Sequence, residues 1–255
     1  MKITAKEVIL VDIENVPSLK KRTGISDRSS RISFYANFLR GELGIDTVIF
    51  CGDSTSCWRS EVFPKYKNKN KTNAYNSNYA HYETLLECEC ALFAVKNGWE
   101  ADDIIGYAAR SGRFDRIVIV SDDSDFKQLH FFKCVERYSP KEGTLEKRNN
   151  VFGIRSLVEK LVMGDSRDNI TRSGQSRCRV KLRPGQKAFK KIAQRVKDTL
   201  VQKLQDNPSL TLRELRIRDV ILNECEKTFE MNRRRYMRNY KLICQIEDTH
   251  NHITT

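Results

Sequence analysis

Short apolar runs and longer amphipathic stretches alternate along the first half of the chain. Val8–Ile13, Asp46–Phe50 and Arg116–Ser121 are rich in β-branched residues and have the length of strands. Ile32–Leu43 has the apolar spacing of a helix, and Gly44 follows as a stop signal. Strands that alternate with helices predict an α/β fold, with a central, mainly parallel sheet flanked by helices.

Further elements are expected between and after these segments. The spacing predicts helices over Tyr79–Lys96, from Glu100 to Ala109 and over Ile154–Met163. Cys134–Tyr138 and Thr144–Lys147 have the composition of short flanking strands.

The second half of the chain has a different pattern. Beyond Asp168 the sequence predicts helices and no strands, including one long helix that starts at Pro184 and runs through Leu204. Thr211 and Glu214 form a capping box that opens a further helix. We therefore place a domain boundary between an α/β catalytic domain (1–164) and a helical C-terminal subdomain (165–255).

Charge supports a nucleic-acid partner for the C-terminal part. The formal net charge is +13, and residues 1–150 hold 23 Lys and Arg against 21 Asp and Glu, whereas residues 151–255 hold 23 against 12. A one-sided excess of this kind favours contact with a phosphate backbone over a merely solvated surface. The cations expected to bind duplex are Arg179, Lys181, Arg183, Lys187, Lys190 and Lys191.

No apolar run approaches the length of a membrane span, and the N-terminus has no apolar signal segment. We therefore expect a cytoplasmic protein with no membrane partner. The eight cysteines form no C-x-x-C pair and are expected to be reduced thiols.

Acidic residues follow several of the predicted strands. Asp12, Asp53 and Asp123 each come after a strand-like run, and the carboxyl ends of parallel strands meet at one edge of a sheet. Asp125 shares a tight turn with Asp123, so both can present oxygens to one cavity. These carboxylates would repel one another unless a multivalent cation held them.

Two further acidic groups extend this set. Glu100 and Asp102 open a predicted helix, and Asp165 and Asp168 lie three residues apart, a spacing that on a helical turn puts both on one face. Oxygen-only ligands are the preference of Mg²⁺, with Mn²⁺ as a substitute. Two such ions about 4 Å apart activate a water and stabilise the leaving oxygen of a phosphodiester.

The segment 58–78 lies between two core elements and is rich in Lys, Asn and Tyr. Its polarity predicts an exposed basic loop, and aromatic residues between the cations suit it to grip phosphates and stack bases. The residues expected to contact nucleic acid there are Lys65, Tyr66, Lys69 and Lys71.

Three ordered motifs resemble a known family. These are Glu100-Ala101-Asp102-Asp103, Ser121-Asp122-Asp123-Ser124-Asp125-Phe126 and Gly164-Asp165-Ser166-Arg167-Asp168-Asn169. They resemble the 5′ nucleases of the flap endonuclease superfamily, most of all the phage ribonuclease H and 5′-3′ exonuclease branch of the T-even type. The resemblance implies a PIN-like fold and a metal-dependent 5′-3′ exonuclease and flap endonuclease. Such an enzyme removes RNA primers and 5′ flaps from duplex DNA during replication, with two Mg²⁺ ions.

The resemblance also implies roles for single residues. The first ion would be surrounded by Asp12, Asp53, Asp102 and Asp123, with Glu100 acting through water, and the second by Asp125, Asp165 and Asp168. At the base of the arch that the family builds from residues such as 58–78, Lys67 and Arg59 would contact the scissile phosphate. The implied partners are duplex DNA with a 5′ flap, nick or RNA primer, and a polymerase clamp or single-strand-binding protein, for a monomeric enzyme.

Two alternatives stay open. Val11-Asp12-Ile13-Glu14-Asn15 resembles the opening of PIN-type endoribonucleases, although these lack a Lys-rich arch and the Gly-Asp-x-x-Asp-Asn element. The other alternative is a non-catalytic nucleic-acid-binding protein, which the loss of an acidic ligand would favour. All eight candidate positions are acidic in this sequence.

Overall fold

A computed structural model describes residues 5–13, 27–54, 56–67, 91–146, 150–176 and 186–245. The chain forms two compact units: the first holds the described residues within 1–64, 68–126 and 132–148, and the second those within 65–67, 127–131 and 149–255. The functional boundary drawn between residues 164 and 165 stays a prediction.

The described part of the first unit contains a six-stranded sheet. Its strands in chain order are β1 (Glu7–Asp12), β2 (Val48–Cys51), β3 (Leu92–Ala94), β4 (Arg116–Val120), β5 (Val135–Ser139) and β6 (Thr144–Glu146). The spatial order is β3-β2-β1-β4-β5-β6, with parallel pairing throughout except for β6, which runs antiparallel to β5. The predicted α/β fold with a mainly parallel sheet is confirmed.

The central strands are apolar on both faces because both faces are covered. Val8 to Val11 in β1 and Ile117 to Val120 in β4 are at most 2% exposed. Such strands read as continuous apolar runs rather than alternating ones, and for this reason they were the clearest strand signals in the sequence.

The described residues of the first unit also form helices. They are α1 (Arg28–Leu43), α2 (Trp58–Val62) and α3 (Ala101–Arg110). Asp27 caps α1 by accepting a hydrogen bond from the backbone N–H of Ser30 at 2.7 Å, and Gly44 ends it in the left-handed conformation. Residues of α1 such as Tyr35 and Leu39 pack against one face of the sheet, in a cluster with Val11 of β1 and Phe50 of β2.

The predicted helix over Tyr79–Lys96 is wrong in the part that the structure describes. Leu92–Ala94 is a strand that pairs in parallel with Ile49–Cys51, and residues 79–90 lie outside the described ranges. A short apolar run fits a helix and a buried strand equally well by periodicity. Leu92–Ala94 forms a strand rather than a helix because it pairs with β2.

The second unit is mainly helical in its described residues. Its elements are α4 (Asn150–Met163), β7 (Gly174–Ser176), α5 (Gln186–Asp206), α6 (Leu212–Leu215), α7 (Ile217–Glu226), β8 (Phe229–Met231) and α8 (Arg233–Ile243), and a 3-10 helix over Ser124–Phe131 contributes its last residues. The predicted helices and the Thr211–Glu214 capping box are present. None of the described helices is long and apolar enough to cross a membrane.

The expectation of no strands beyond Asp168 is wrong. β7 and β8 pair in antiparallel fashion, with Gly174 opposite Met231. A Cβ at Gly174 would lie 2.7 Å from the side chain of Val162 and 2.9 Å from that of Met231, so a larger residue fits only if these side chains move. Three-residue strands that pair over more than fifty residues leave no local pattern to find.

A buried carboxylate ties helices of the second unit together. Glu224, on α7, accepts a hydrogen bond from Arg195 Nε at 2.7 Å and another from Lys227 Nζ at 2.5 Å. Burial by itself raises the pKa of Glu224, but the hydrogen bonds and charges of Lys227 and Arg195 outweigh it and hold the pKa below its ordinary value of 4.5.

Candidate functional site

The strand order of the sheet reverses at β1. β2 and β3 lie on one side of β1, and β4 and β5 on the other. In parallel sheets ligands bind beyond the carboxyl ends of the strands at this switch point. Asp12 is the last residue of β1, and Asp123 lies three residues beyond the end of β4, so two predicted ligands belong to this edge.

Ser121 joins Asp12 to the turn that follows β4. Its hydroxyl donates a hydrogen bond to Asp12 Oδ2 at 3.0 Å and accepts one from the backbone N–H of Asp123 at 3.0 Å. The N–H of Asp125 in turn donates to Asp123 Oδ1 at 2.9 Å. Asp12 is 7% exposed, whereas Asp123 is exposed. The turn therefore fixes its carboxylates through its own backbone and leaves Asp123 accessible to a ligand.

Arg137, on β5, donates hydrogen bonds to backbone carbonyl groups of the turn that follows β4. Its Nη1 donates to the backbone oxygen of Asp123 at 2.8 Å and to that of Ser121 at 3.2 Å, and its guanidinium also pairs with Glu146. Since Arg137 is 3% exposed, these bonds are shielded from water. They make the turn after β4 a rigid support for its acidic side chains.

Asp53 links the end of β2 to the start of α3. Its Oδ1 accepts a hydrogen bond from the N–H of Ala101, the first residue of α3, at 2.8 Å. A carboxylate at this position is stabilised by the positive end of the helix dipole. Glu100 is the N-cap of α3, and Asp102 lies in its first turn. Asp53, Glu100 and Asp102 are therefore gathered at one helix terminus.

Arg59 is buried in an ion-pair network with the start of α3. Its Nη1 lies 2.7 Å from Glu100 Oε2, and its two terminal nitrogens bind Asp103 at 2.8 and 2.7 Å. Trp58 Nε1 donates to the same Asp103 carboxylate at 3.0 Å, and Arg59 is 3% exposed. Contact of Arg59 with the scissile phosphate stays a prediction. The structure shows Arg59 fixing the side chain of Glu100.

Asp165 and Asp168 belong to the second unit, in a tight turn after α4. The turn is closed by two backbone hydrogen bonds between Asp165 and Ile170, of 2.9 and 2.7 Å. Gly164 precedes it with φ +77°, where a Cβ would lie 2.3 Å from the carbonyl oxygen of Ile170. This close approach explains the glycine of the Gly-Asp-x-x-Asp-Asn motif.

Lys160 neutralises one of these carboxylates. Its Nζ lies 2.7 Å from Asp165 Oδ2, and the N–H of Arg167 donates to Asp165 Oδ1 at 2.9 Å. Partial burial by itself raises the pKa of Asp165, but the hydrogen bond and charge of Lys160 outweigh it and lower the pKa below its ordinary 3.8. Asp165 is thus ionised at neutral pH, the state in which a carboxylate binds a metal.

The base of the predicted arch contacts this turn. The N–H of Lys67 donates to the carbonyl oxygen of Asp168 at 3.2 Å, and Asn169 Nδ2 donates to that of Lys65 at 3.1 Å. Tyr66, between the two lysines, is 4% exposed, and Lys67 Nζ lies 5.5 Å from the centroid of its ring. Lys65 and Lys67 are exposed. Tyr66 is therefore an anchor of this segment rather than an open stacking platform.

The other predicted cations divide into two groups. Lys187, Lys190 and Lys191 are exposed on the first turns of α5, where they are accessible to an anionic partner. The predicted contacts that lie outside the described residues are Lys69, Lys71, Arg179, Lys181 and Arg183.

The candidate ligands fit a hard divalent cation by their chemistry. All eight are carboxylates, and oxygen is the donor that Mg²⁺ and Mn²⁺ prefer. Among the residues that the structure describes, no group of three or more His, Cys, Asp and Glu stands close enough to hold an ion. The ligand assignments of the individual carboxylates stay predictions.

Sequence reasoning missed the side chains that hold the candidate site in place. Ser121, Arg137 and Lys160 each bind a predicted ligand or its turn. Ser121 is the first residue of the acidic motif that includes Asp123 and Asp125, so its place in that motif was the sequence signal for its role. Arg137 and Lys160 had none, because a lone cation in a strand or a helix is ordinarily a surface residue.

Comparison with known structures defines the class of fold. The 5′-exonuclease of bacteriophage T5 with zinc bound superposes with a TM-score of 0.61 at 18% identity, over 94% of this chain and 90% of that one. A complex of the bacteriophage T5 flap endonuclease with DNA and metal ions gives a TM-score of 0.59 at 18% identity, over 94% and 89% of the two chains. The fold is that of the T5 exonuclease, a mostly parallel mixed sheet flanked by helices.

Sequence comparison then defines the family. Residues 21–161 match the 5′-3′ exonuclease, N-terminal resolvase-like domain, so the chain belongs to this family of nucleases, which are hydrolytic enzymes. Ribonuclease H of Enterobacteria phage T4 is 25% identical over 143 residues, which are 50% of this chain and 47% of that protein. The match thus spans about half the length of this relative. The predicted resemblance to phage 5′ nucleases is confirmed.

Proposed function

We propose that this protein is a metal-dependent 5′ nuclease that hydrolyses phosphodiester bonds in duplex DNA carrying a 5′ flap, a nick or an RNA primer. The observation that carries the proposal is the acidic edge at the switch point of the sheet, in a member of the 5′-3′ exonuclease family. The names of its relatives support both halves of the substrate: a flap endonuclease bound to DNA, and a ribonuclease H.

Asp12, Asp53, Asp102 and Asp123 would hold one Mg²⁺ ion, with Glu100 acting through water. Mn²⁺ is the expected substitute. The bound metal supplies an activated water and charge neutralisation for the leaving oxygen. The assignment of Asp125, Asp165 and Asp168 to a second ion rests on the family motif alone.

Within this function the protein's own residues have distinct tasks. Ser121 and Arg137 keep the turn of Asp123 rigid, and Arg59 keeps Glu100 in place. Lys67 would neutralise the scissile phosphate as its charge grows, which is the role of a preorganised cation in phosphoryl transfer. The exposed lysines of α5 would bind the duplex backbone without reading its sequence.

The test is cleavage of two 5′-labelled substrates, a nicked duplex and a flapped duplex, in Mg²⁺ and in EDTA. We expect Mg²⁺-dependent cleavage at the 5′ end or flap junction. Asp123→Asn should lower the rate by about 10³-fold or more, since it removes a metal ligand, and leave duplex affinity within about twofold. Asp115→Asn is the matched control, because Asp115 is exposed at the opposite end of β4 and pairs only loosely with Lys6, at 3.8 Å.

The outcomes separate the alternatives. Tight duplex binding with no cleavage of either substrate would establish the non-catalytic reading. Internal cuts in single-stranded RNA that ignore the 5′ end would establish the PIN-type endoribonuclease. Full activity of Asp123→Asn would remove Asp123 from the site.

A polymerase clamp or single-strand-binding protein as partner, the monomeric state and a cytoplasmic location belong to the same proposal. They rest on the family resemblance and on composition.

A further inference from the structure

Two non-glycine residues of the second unit adopt the left-handed backbone conformation, in segments that hydrogen bonds join to each other. Lys67 has φ +46° and Asn169 has φ +59°. This region is uncommon for residues with a Cβ, although asparagine is enriched there. Two such residues in hydrogen-bonded segments mark a local structure that the surroundings enforce.

Two hydrogen bonds connect the segments of these residues. The amide of Asn169 donates to the carbonyl oxygen of Lys65 at 3.1 Å, and the N–H of Lys67 donates to that of Asp168 at 3.2 Å. The carbonyl of Asp168 belongs to the peptide that precedes Asn169, so the conformation of Asn169 sets where this acceptor points. Asn169 therefore contributes to both bonds, one by its side chain and one by its backbone.

The position of Lys67 needs such support. A lysine ammonium is a point charge on a flexible four-carbon stem, so its location depends on how firmly the stem is rooted. Buried Tyr66 anchors the segment on one side, and the bonds to residues 168 and 169 hold it on the other. The turn is itself fixed by the paired backbone of Asp165 and Ile170.

We propose that Asn169 is a positioning residue for Lys67: it fastens the root of the arch lysine to the turn of Asp165 and Asp168, and so aims the ammonium at the scissile phosphate. The proposal rests on the proposed nuclease function. It assigns to the asparagine of the Gly-Asp-x-x-Asp-Asn motif a task directed at the arch lysine rather than at a metal ion.

Asn169→Gly separates the two contributions of the residue. Glycine adopts positive φ readily, so the turn keeps its conformation, whereas the bond to the Lys65 carbonyl is lost. Arg216→Gly is the matched control: Arg216 also has φ +51°, lies in the same unit and has no contact with the Lys65–Lys67 segment among the hydrogen bonds of the described residues.

Four comparisons are made on the full chain. Hydrogen exchange at the Lys67 amide should be about tenfold faster in Asn169→Gly, because one of the two bonds that close this contact is gone. The single-turnover cleavage rate should fall about tenfold. In a Lys67→Ala background Asn169→Gly should have no further effect, since the residue it positions is absent. Mn²⁺ affinity, measured by calorimetry without substrate, should stay within twofold.

Two results would overturn the proposal. One is Lys67 exchange in Asn169→Gly equal to that of the wild type and of Arg216→Gly. The other is a loss of Mn²⁺ affinity together with a rate loss that persists in Lys67→Ala, which would show that Asn169 serves the metal-ligand turn. If the wild type cleaves nothing, the proposed function fails, and hydrogen exchange alone decides whether Asn169 holds Lys67.

Discussion

Arg59 offers the sharpest test of how the first unit is held together, because sequence and structure point to different roles. The family resemblance predicts that it contacts the scissile phosphate. In the structure its guanidinium makes three hydrogen bonds to Glu100 and Asp103, and all three side chains are 4% exposed. Arg59→Met keeps much of the side-chain volume and removes the charge and all three bonds.

The magnitude follows from what is left behind. Removing one partner of a buried ion pair typically costs about 3–5 kcal/mol, because the remaining charge stays buried without compensation. Asp103 retains the donors Trp58 Nε1 and the N–H of Glu100, at 3.0 and 2.9 Å, and Glu100 retains the capping-box hydrogen bond from the N–H of Asp103. Both carboxylates nevertheless lose the guanidinium charge that balances them. We expect a loss of about 4 kcal/mol in the free energy of unfolding, roughly a thousandfold in the equilibrium constant.

Urea unfolding followed by tryptophan fluorescence measures this loss in the relevant unit. The only two tryptophans, Trp58 and Trp99, both belong to the first unit. With a slope of about 2 kcal/mol/M, the midpoint should move down by about 2 M. Arg116→Met is the control, because its 2.9 Å pair with Glu136 is 32% and 42% exposed and should contribute about 1 kcal/mol or less.

The two roles of Arg59 give opposite results. If it contacts the phosphate and little else, Arg59→Met will lower the cleavage rate and unfold at the same urea concentration as Arg116→Met. That result would refute the structural reasoning. Arg59→Lys, which keeps the charge but not the planar fork, should unfold between Arg59→Met and the wild type.

Two further predictions concern the second unit. The double variant Lys190→Gln, Lys191→Gln should reduce the slope of log affinity against log salt for duplex DNA by about 1.8. The control double variant Lys6→Gln, Lys133→Gln, at the amino ends of the parallel strands, should leave this slope unchanged. An equal slope in both double variants would contradict the placement of the duplex on α5. The lowered pKa of Glu224 means that its contribution to stability is complete above about pH 4.5 and is lost as the pH falls through the folded-state value. Glu224→Gln should therefore flatten the loss of helical circular dichroism as the pH falls below about 4.5, and an unchanged acid transition would show that other carboxylates control it.

The parts of the fold that could be predicted are those with a local cause. β1 and β4 are covered on both faces, and this leaves an unbroken apolar run in the sequence. The end of α1 at Gly44 follows from a conformation that glycine adopts readily. β3 could not be separated from a helix, because its three residues carry no period of their own. β7 and β8 form because they pair with each other, and neither has a sequence pattern of its own.

The candidate site shows the same division between local and distant causes. Carboxylates after strands could be assigned to one edge of a sheet, since parallel strands end on the same side. Whether a charged residue forms a structural ion pair or contacts the substrate could not be predicted from its neighbours in sequence. Arg59 lies at the start of a lysine-rich segment of the chain, yet its partners are 41 and 44 residues away.

Asn169 and Lys65 are 104 residues apart in sequence and one hydrogen bond apart in space. From the sequence alone, the basic segment would be assigned to DNA binding and the acidic turn to metal binding, as two separate sites. Their contact means that a change in either should be felt by the other, so mutations in the Gly-Asp-x-x-Asp-Asn motif are not purely metal mutations. An effect of Asn169 on rate, without one on metal affinity, is the signature that this coupling requires.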